Sequence, residues 1–472
     1  MTKINRRRFM ADAGAMATSA GLLGNLAINN AFAADTTGYK ALVCVFFFGG
    51  LDNNDTILPV DSTSYNLFRN RREELMGIYG VGSGTSSRDR ANILQLNPIN
   101  VGSLGGREYG LPAELADLRD LFDSRELAVM GSVGPLIEPV TREQFVADNV
   151  ALPKRLFSHN DQQSTWMALN IEGARRGWGG RLLDAAIRSN AQLDPTYMGI
   201  TTSSSNAFLT GDVARGFSVA SSGPVRVRPT SVRRILGNNA HYNQARDQLD
   251  AYLQETNYNA GNLFARDAAT MRGTGVVNTT NYAEQYDNVT ALGTQFPANG
   301  LGSQLRTVAE TISIRNGLNA RRQVFFVGIG GFDSHDNQAV SVPALQSQIG
   351  GAIKAFRDAM VELNVWNDVT LFTAADFGRT MNDNGDGTDH GWGAHHFVAG
   401  GSVRGGRIFG DLPNSDATSD DYTDDRGRLI PTTSVEQYAA TLGSWFGLDQ
   451  TELDQALPNL ANFNDRDLGF MV

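Results

Sequence analysis

Carboxylates and imidazoles recur in this sequence at a few short, glycine-rich stretches. Asp52 stands in Gly49-Gly50-Leu51-Asp52-Asn53-Asn54-Asp55, Asp333 and His335 in Gly331-Phe332-Asp333-Ser334-His335, and Asp376 in Asp376-Phe377-Gly378-Arg379-Thr380. A fourth stretch, Thr388 to His396, carries Asp389, His390, His395 and His396, so four of the six histidines lie in such segments. Oxygen and imidazole donors converging from several loops suit a divalent cation: zinc first, or manganese, magnesium or calcium where oxygen dominates. The spacings are not those of a zinc finger or ribbon. Asp383 to Asp389 resembles a calcium loop only superficially, because it lacks the twelve-residue ligand pattern ending in Glu. A lone Asp or His in a loop ordinarily caps a turn or a helix. A set of them at strand ends needs a compensating positive charge.

Apolar segments place those stretches. Lys40 to Phe48 is a continuous apolar run ending at Gly49-Gly50, the pattern of a strand buried on both faces of a sheet. Gln323 to Ile329 and Val369 to Thr373 read the same way, and Leu345, Ile349, Ile353, Phe356, Met360 and Leu363 recur at helical spacing between them. Leu115, Leu118, Leu121 and Phe122 repeat the helical spacing just before a short strand, Leu127 to Met130, which reads as a βαβ step. Strand alternating with helix predicts an α/β fold: a doubly wound, mostly parallel sheet with helices on both faces and ligands beyond the carboxyl ends of the strands. Asp52, Asp333, His335 and Asp376 then face one crevice. Residues from about 201 to 318, rich in Asn, Ser, Thr and Gly, read as an irregular insertion or cap on a single domain spanning 34–472.

The first 33 residues read as a twin-arginine signal peptide: Asn5-Arg6-Arg7-Arg8-Phe9-Met10, a weakly apolar Gly/Ala stretch, then Ala31-Phe32-Ala33 as a cleavage pattern. The expected destination is the periplasm or the exterior, and the twin-arginine translocase is the expected partner during export. No later stretch approaches the ~20 apolar residues needed to span a bilayer. Cleavage removes Lys3, Arg6, Arg7, Arg8 and Asp12, moving the formal charge from −10 to −13. Scattered charges on an acidic chain offer no basic stripe to a phosphate backbone, which excludes nucleic acid as a partner. Cys44 is the only cysteine, so no intrachain disulfide forms.

Taken with Gly387 to His396 and Gly400-Gly401, the Asp52, Asp333 and Asp376 motifs are similar to the exported bacterial family catalogued as domain of unknown function 1501. Ser158-His159 and Gly177-Trp178-Gly179-Gly180-Arg181 match it too, and the resemblance covers nearly the whole mature chain. That family in turn resembles the alkaline phosphatase and sulfatase superfamily. The resemblance implies an alkaline-phosphatase-like core with one or two metal ions beside a nucleophile. It implies Asp52 as the first metal ligand, Asp376 as the Asp of an Asp-His pair, His390 as a late histidine ligand, Asp333 and His335 as ligands of a second metal, and Ser158 as nucleophile. The superfamily's His after Asp376 is here Phe377, and His159, His395 or His396 stands in for it, a choice the sequence leaves open. The sulfatase Cys-x-Pro-x-Arg signature is absent, so Cys44 does not supply a formylglycine.

The expected function is metal-dependent hydrolysis of phosphate or sulfate esters, on a small-molecule or polymer-linked substrate. Arg379 offers a guanidinium fork to the transferring oxyanion or, alternatively, an inter-loop salt bridge. His159 is a ligand or a general acid. The competing expectation is a non-catalytic binding or assembly protein that keeps the fold and a structural or vestigial metal site.

Overall fold

The computed structural model describes residues 34–190, 192–203, 207–224, 240–255, 262–416 and 419–472. The expected signal peptide, 1–33, lies outside them, as does part of the expected insertion.

One sheet organises the chain. Its strands are β1 (Lys40–Phe47), β2 (Leu127–Gly134), β3 (Gly199–Thr201), β4 (Gly216–Ser218), β5 (Arg322–Ile329), β6 (Val369–Ala375), β7 (Ala394–Gly400), β8 (Ile408–Phe409) and β9 (Thr433–Ser434). The order is β8-β2-β7-β6-β1-β5-β3-β4, with β9 also on β2. All pairings are parallel except those of β7, which runs antiparallel between β2 and β6. The mostly parallel sheet agrees with the sequence reading, while two details differ from it. β2 is separated from β1 by β6 and β7, so the early βαβ step does not join neighbours. The segment after His390 begins its strand at Ala394, which draws His395 and His396 into the sheet.

Helices cover both faces: α1 (Asn53–Thr56), α2 (Ala116–Asp123), α3 (His159–Ala168), α4 (Trp178–Ser189), α5 (Ala240–Gln254), α6 (Leu263–Tyr286), α7 (Gly300–Ser313), α8 (Gln338–Glu362), α9 (Val435–Phe446) and α10 (Gln450–Ala456). Period-two alternation in β1 sends Val43, Val45 and Phe47 to one core, with side chains of α2, α7 and α8. Leu42, Cys44 and Phe46 go to the other, with those of α3, α4 and α9. Each such side chain is almost fully buried and contributes roughly 1.5–3 kcal/mol. Among the described residues no helix is long and apolar enough to cross a membrane.

Candidate metal centre

Four loops bring the site together at the carboxyl ends of β1, β5 and β6. β1 leads into Gly49, where φ is +112° and a Cβ would collide with the backbone N of Asp333. Glycine there lets the β1 and β5 ends close on each other. Phe332 anchors the second loop against Phe47, ring centroids 5.1 Å apart. The third is a hairpin, Arg379–Asp383 with Thr388–His390, in which Arg379 and His390 are cross-strand partners. The fourth is the start of α3, reached through a turn in which Arg155 and Phe157 hold positive φ, a costly conformation for non-glycine residues.

Three imidazoles point one nitrogen each at the same oxygen. The Nε2 atoms of His335, His390 and His159 lie 3.2, 3.3 and 3.4 Å from Asp333 Oδ1. His335 Nε2 and His390 Nε2 are 2.8 Å apart. Each ring's other nitrogen is committed: His159 Nδ1 to Asp376 Oδ2 at 2.7 Å, His390 Nδ1 to the Phe157 carbonyl at 2.8 Å, and His335 Nδ1 to Asp389 Oδ1 at 3.3 Å. These partners only accept, so each Nδ1 carries a proton, and a neutral ring presents its lone pair at Nε2. With neutral rings, three imidazole lone pairs and a carboxylate share this volume, and the charge facing them is the Arg379 guanidinium, 2.9 Å from Asp333 Oδ1. Donor atoms around a tetrahedral zinc, with bonds of about 2.0–2.1 Å, lie about 3.3 Å apart, which matches the three distances to Asp333 but not the 2.8 Å between His335 and His390; His159, Asp333 and His390 offer ligand atoms that all lie within 4.8 Å of one another. His159 Nε2 is buried with no hydrogen-bond partner, as is Asp376 Oδ1. The donor set therefore fits a borderline divalent cation.

The electrostatics divide between the rings. Burial, opposed by the Phe157 hydrogen bond, leaves the His390 imidazole below its ordinary pKa. The hydrogen bond to Asp376, opposed by burial and reinforced by that carboxylate's charge, raises His159. Partial burial would raise the Asp333 carboxyl, but the Arg379 hydrogen bond and charge, with His159 and His335, hold it below the usual range. The Asp333 and His335 side chains are 49% and 43% exposed, so the cluster opens to solvent.

Several sequence candidates meet here and others do not. His159, Asp333, His335 and His390 form the cluster. Asp376 stands behind it, its Oδ2 also accepting from Gly49 N and Gln163 Nε2, both at 3.0 Å. Asp52 is apart: buried, capping α1, and held by a two-pronged Arg72 contact at 2.7 and 2.9 Å and by Gln338 at 2.6 Å. A guanidinium already supplies the cation that this carboxylate needs. His395 is also apart, buried within β7 and accepting from Ser132 N–H at 3.0 Å. Arg379 turns its guanidinium inward, donating to Asp333 Oδ1 at 2.9 Å, to the Gly49 carbonyl at 3.1 Å and to Thr388. It holds the Asp333 carboxylate rather than presenting a fork outward. Ser158 precedes α3 and donates from Oγ to Asp161 at 2.9 Å.

The sequence reading passed over two contributors. Gln163 lies one helical turn after His159, a spacing that puts both on one face of α3. Phe377, noted only as a departure, is fully buried with its ring 4.8 Å from that of His159 and 4.6 Å from that of His390, packing both imidazoles in place.

A search of curated proteins found no match. Among solved structures, the lipoteichoic acid synthase LtaP from Listeria monocytogenes is similar at 8% identity and a TM-score of 0.32, over 90% of this chain and 78% of that one. The PsFucS1 sulfatase from Pseudoalteromonas sp. is similar at 10% identity and a TM-score of 0.30, over 80% and 65%. The phosphonate monoester hydrolase SpPMH from Silicibacter pomeroyi is similar at 9% identity and a TM-score of 0.29, over 87% and 74%. The family described as "Protein of unknown function (DUF1501)" matches residues 39–460, and the chain belongs to it.

Proposed function

We propose that the protein is an exported, metal-dependent hydrolase of phosphate or sulfate esters, with His159, His335, His390 and Asp333 holding the ion, zinc foremost. The observation that carries this reading is the convergence on Asp333, at a solvent-open site, of three imidazoles whose Nδ1 atoms are each held by an acceptor. Carboxylate and carbonyl acceptors behind ligating histidines are the usual second layer of metal sites. When bound, the ion supplies Lewis acidity to the ester oxygen and lowers the pKa of a bound water or alcohol. The chain supplies the rest. Ser158 Oγ, beside His159, is the nucleophile, and Asp161 accepts its hydrogen bond. The N-terminus of α3 has no side-chain cap, so its amides and dipole favour an oxyanion there. Arg379 fixes Asp333.

One observation favours the competing reading, a binding protein with a structural ion: Arg72 fills the charge requirement of Asp52, which leaves the resemblance's larger ligand set incomplete. The test is turnover of an aryl phosphate and an aryl sulfate by protein reconstituted with zinc, manganese, magnesium or calcium, in wild type and Ser158→Ala. Turnover lost in the variant supports the hydrolase. Bound metal with no turnover of either ester supports the binding protein.

A further inference from the structure

Away from the metal centre, a cavity of about 270 Å³ opens between α4 and α10, with Arg176, Arg181 and Arg188 in its wall beside Asp184 and Asp212. Arg181, Asp184 and Arg188 follow at i, i+3 and i+7 along α4 and share one face of it. The two carboxylates are already spent. Asp184 accepts from the backbone N–H groups of Asp212, Val213 (3.0 Å) and Ala214 (2.8 Å), and Asp212 pairs with Arg176 at 2.6 Å. Glu436, the other carboxylate acting on Arg181, is occupied by Asn459 and raised in pKa by burial. Arg181 itself donates only to the carbonyls of Ala456 and Arg176, at 3.0 and 3.4 Å. Arg188 has neither an ion pair nor a hydrogen bond among the described residues and is exposed. Below them Arg215 donates to the carbonyls of Gly211, Asp212 and Ala214. Counting Arg176, Arg181, Arg188 and Arg215 against Asp184, Asp212 and Glu436 leaves one unit of positive charge in a concave spot on a chain whose formal charge is −10.

Capping the last turn of α10 explains Arg181 but not Arg188 or the cavity. Guanidinium forks match the oxygens of tetrahedral oxyanions, and charge-assisted contacts of this kind are strong. The cavity holds roughly nine water volumes, room for a sulfate or phosphate group and part of what carries it. We propose that this cavity is a binding subsite for a sulfate or phosphate group, separate from the metal centre and independent of whether that centre is catalytic.

The test is calorimetric titration of the full chain with sodium sulfate and with a heparin hexasaccharide, in wild type, Arg188→Glu and Arg119→Glu. Arg119 serves as control because it lies on α2, on the opposite face of the sheet, so its reversal changes net charge equally. The expected result is binding that weakens at least tenfold in Arg188→Glu and by less than twofold in Arg119→Glu. A gain from sulfate to hexasaccharide marks a polymer-borne group, and equal binding marks the free ion. Turnover of the small aryl esters stays unchanged in Arg188→Glu. No binding of either probe, or equal loss in the two variants, would overturn the subsite.

Discussion

His159 Nδ1 sits 2.7 Å from Asp376 Oδ2, and that contact fixes which nitrogen of His159 faces the Asp333 cluster. Asp376 therefore acts on the site through an imidazole. Gly49 N–H and Gln163 hold the same oxygen from other sides, so the carboxylate has little freedom to turn.

Asp376→Asn keeps the shape and an acceptor oxygen but removes the negative charge behind His159. Metal affinity should fall about 10- to 100-fold, as for other second-layer partners of ligating histidines, while the unfolding midpoint of the metal-free protein moves little. Competition with a chromophoric chelator measures the first quantity and thermal unfolding the second. Unchanged affinity would separate Asp376 from the site.

Asp52 is predicted to matter for stability. Arg72→Met leaves a buried carboxylate without its partner, at a cost of about 3–5 kcal/mol. The double variant Asp52→Asn, Arg72→Met should recover part of that loss, and urea unfolding of the metal-free forms gives the comparison. A Asp52→Asn single variant that binds no metal while remaining folded would return Asp52 to the ligand set.

Acid should weaken the fold through β7. Burial holds His395 and His396 neutral, with pKa values pushed down to about 3, against an ordinary value of 6.5. Because the folded pKa lies below the unfolded one, the unfolded chain binds more protons between these values. Stability is then complete above pH about 6.5 and falls as the pH drops toward 3. Two such groups cost about 4 kcal/mol between pH 7 and pH 5, readable from urea midpoints. His396→Gln should roughly halve that slope, and an unaltered slope would contradict the assignment.

Gly49→Ala tests the loop closure. A methyl group at φ +112° meets the Asp333 backbone, so the substitution should cost more than about 1 kcal/mol and lower metal occupancy at fixed zinc. Full occupancy with normal stability would show that the β1 and β5 ends close without it.

Much of the fold was legible because buried parallel strands write themselves as unbroken apolar runs: Lys40 to Phe48, Gln323 to Ile329 and Val369 to Thr373 all became central strands. The site was partly legible for a related reason, since Asp333, His335 and Asp376 follow those runs directly. The apolar pattern begins only at Phe397, whereas backbone pairing starts at Ala394 and draws His395 into the sheet, a position the pattern does not signal. Asp52 could not be separated from the Asp333 cluster by sequence, because the Arg72 that pairs with it lies 20 residues away in an unremarkable helix-rich stretch. Nor does any motif announce that Phe377 packs two imidazoles.

Metal stoichiometry tests the central claim most directly. Mass spectrometry of protein loaded with zinc and desalted should find one ion per chain in wild type and in His395→Gln. It should find essentially none in His390→Ala and His159→Ala, with all four proteins folded by circular dichroism. Zinc retained in His390→Ala, or absent from wild type, would contradict a metal centre built on His159, Asp333, His335 and His390.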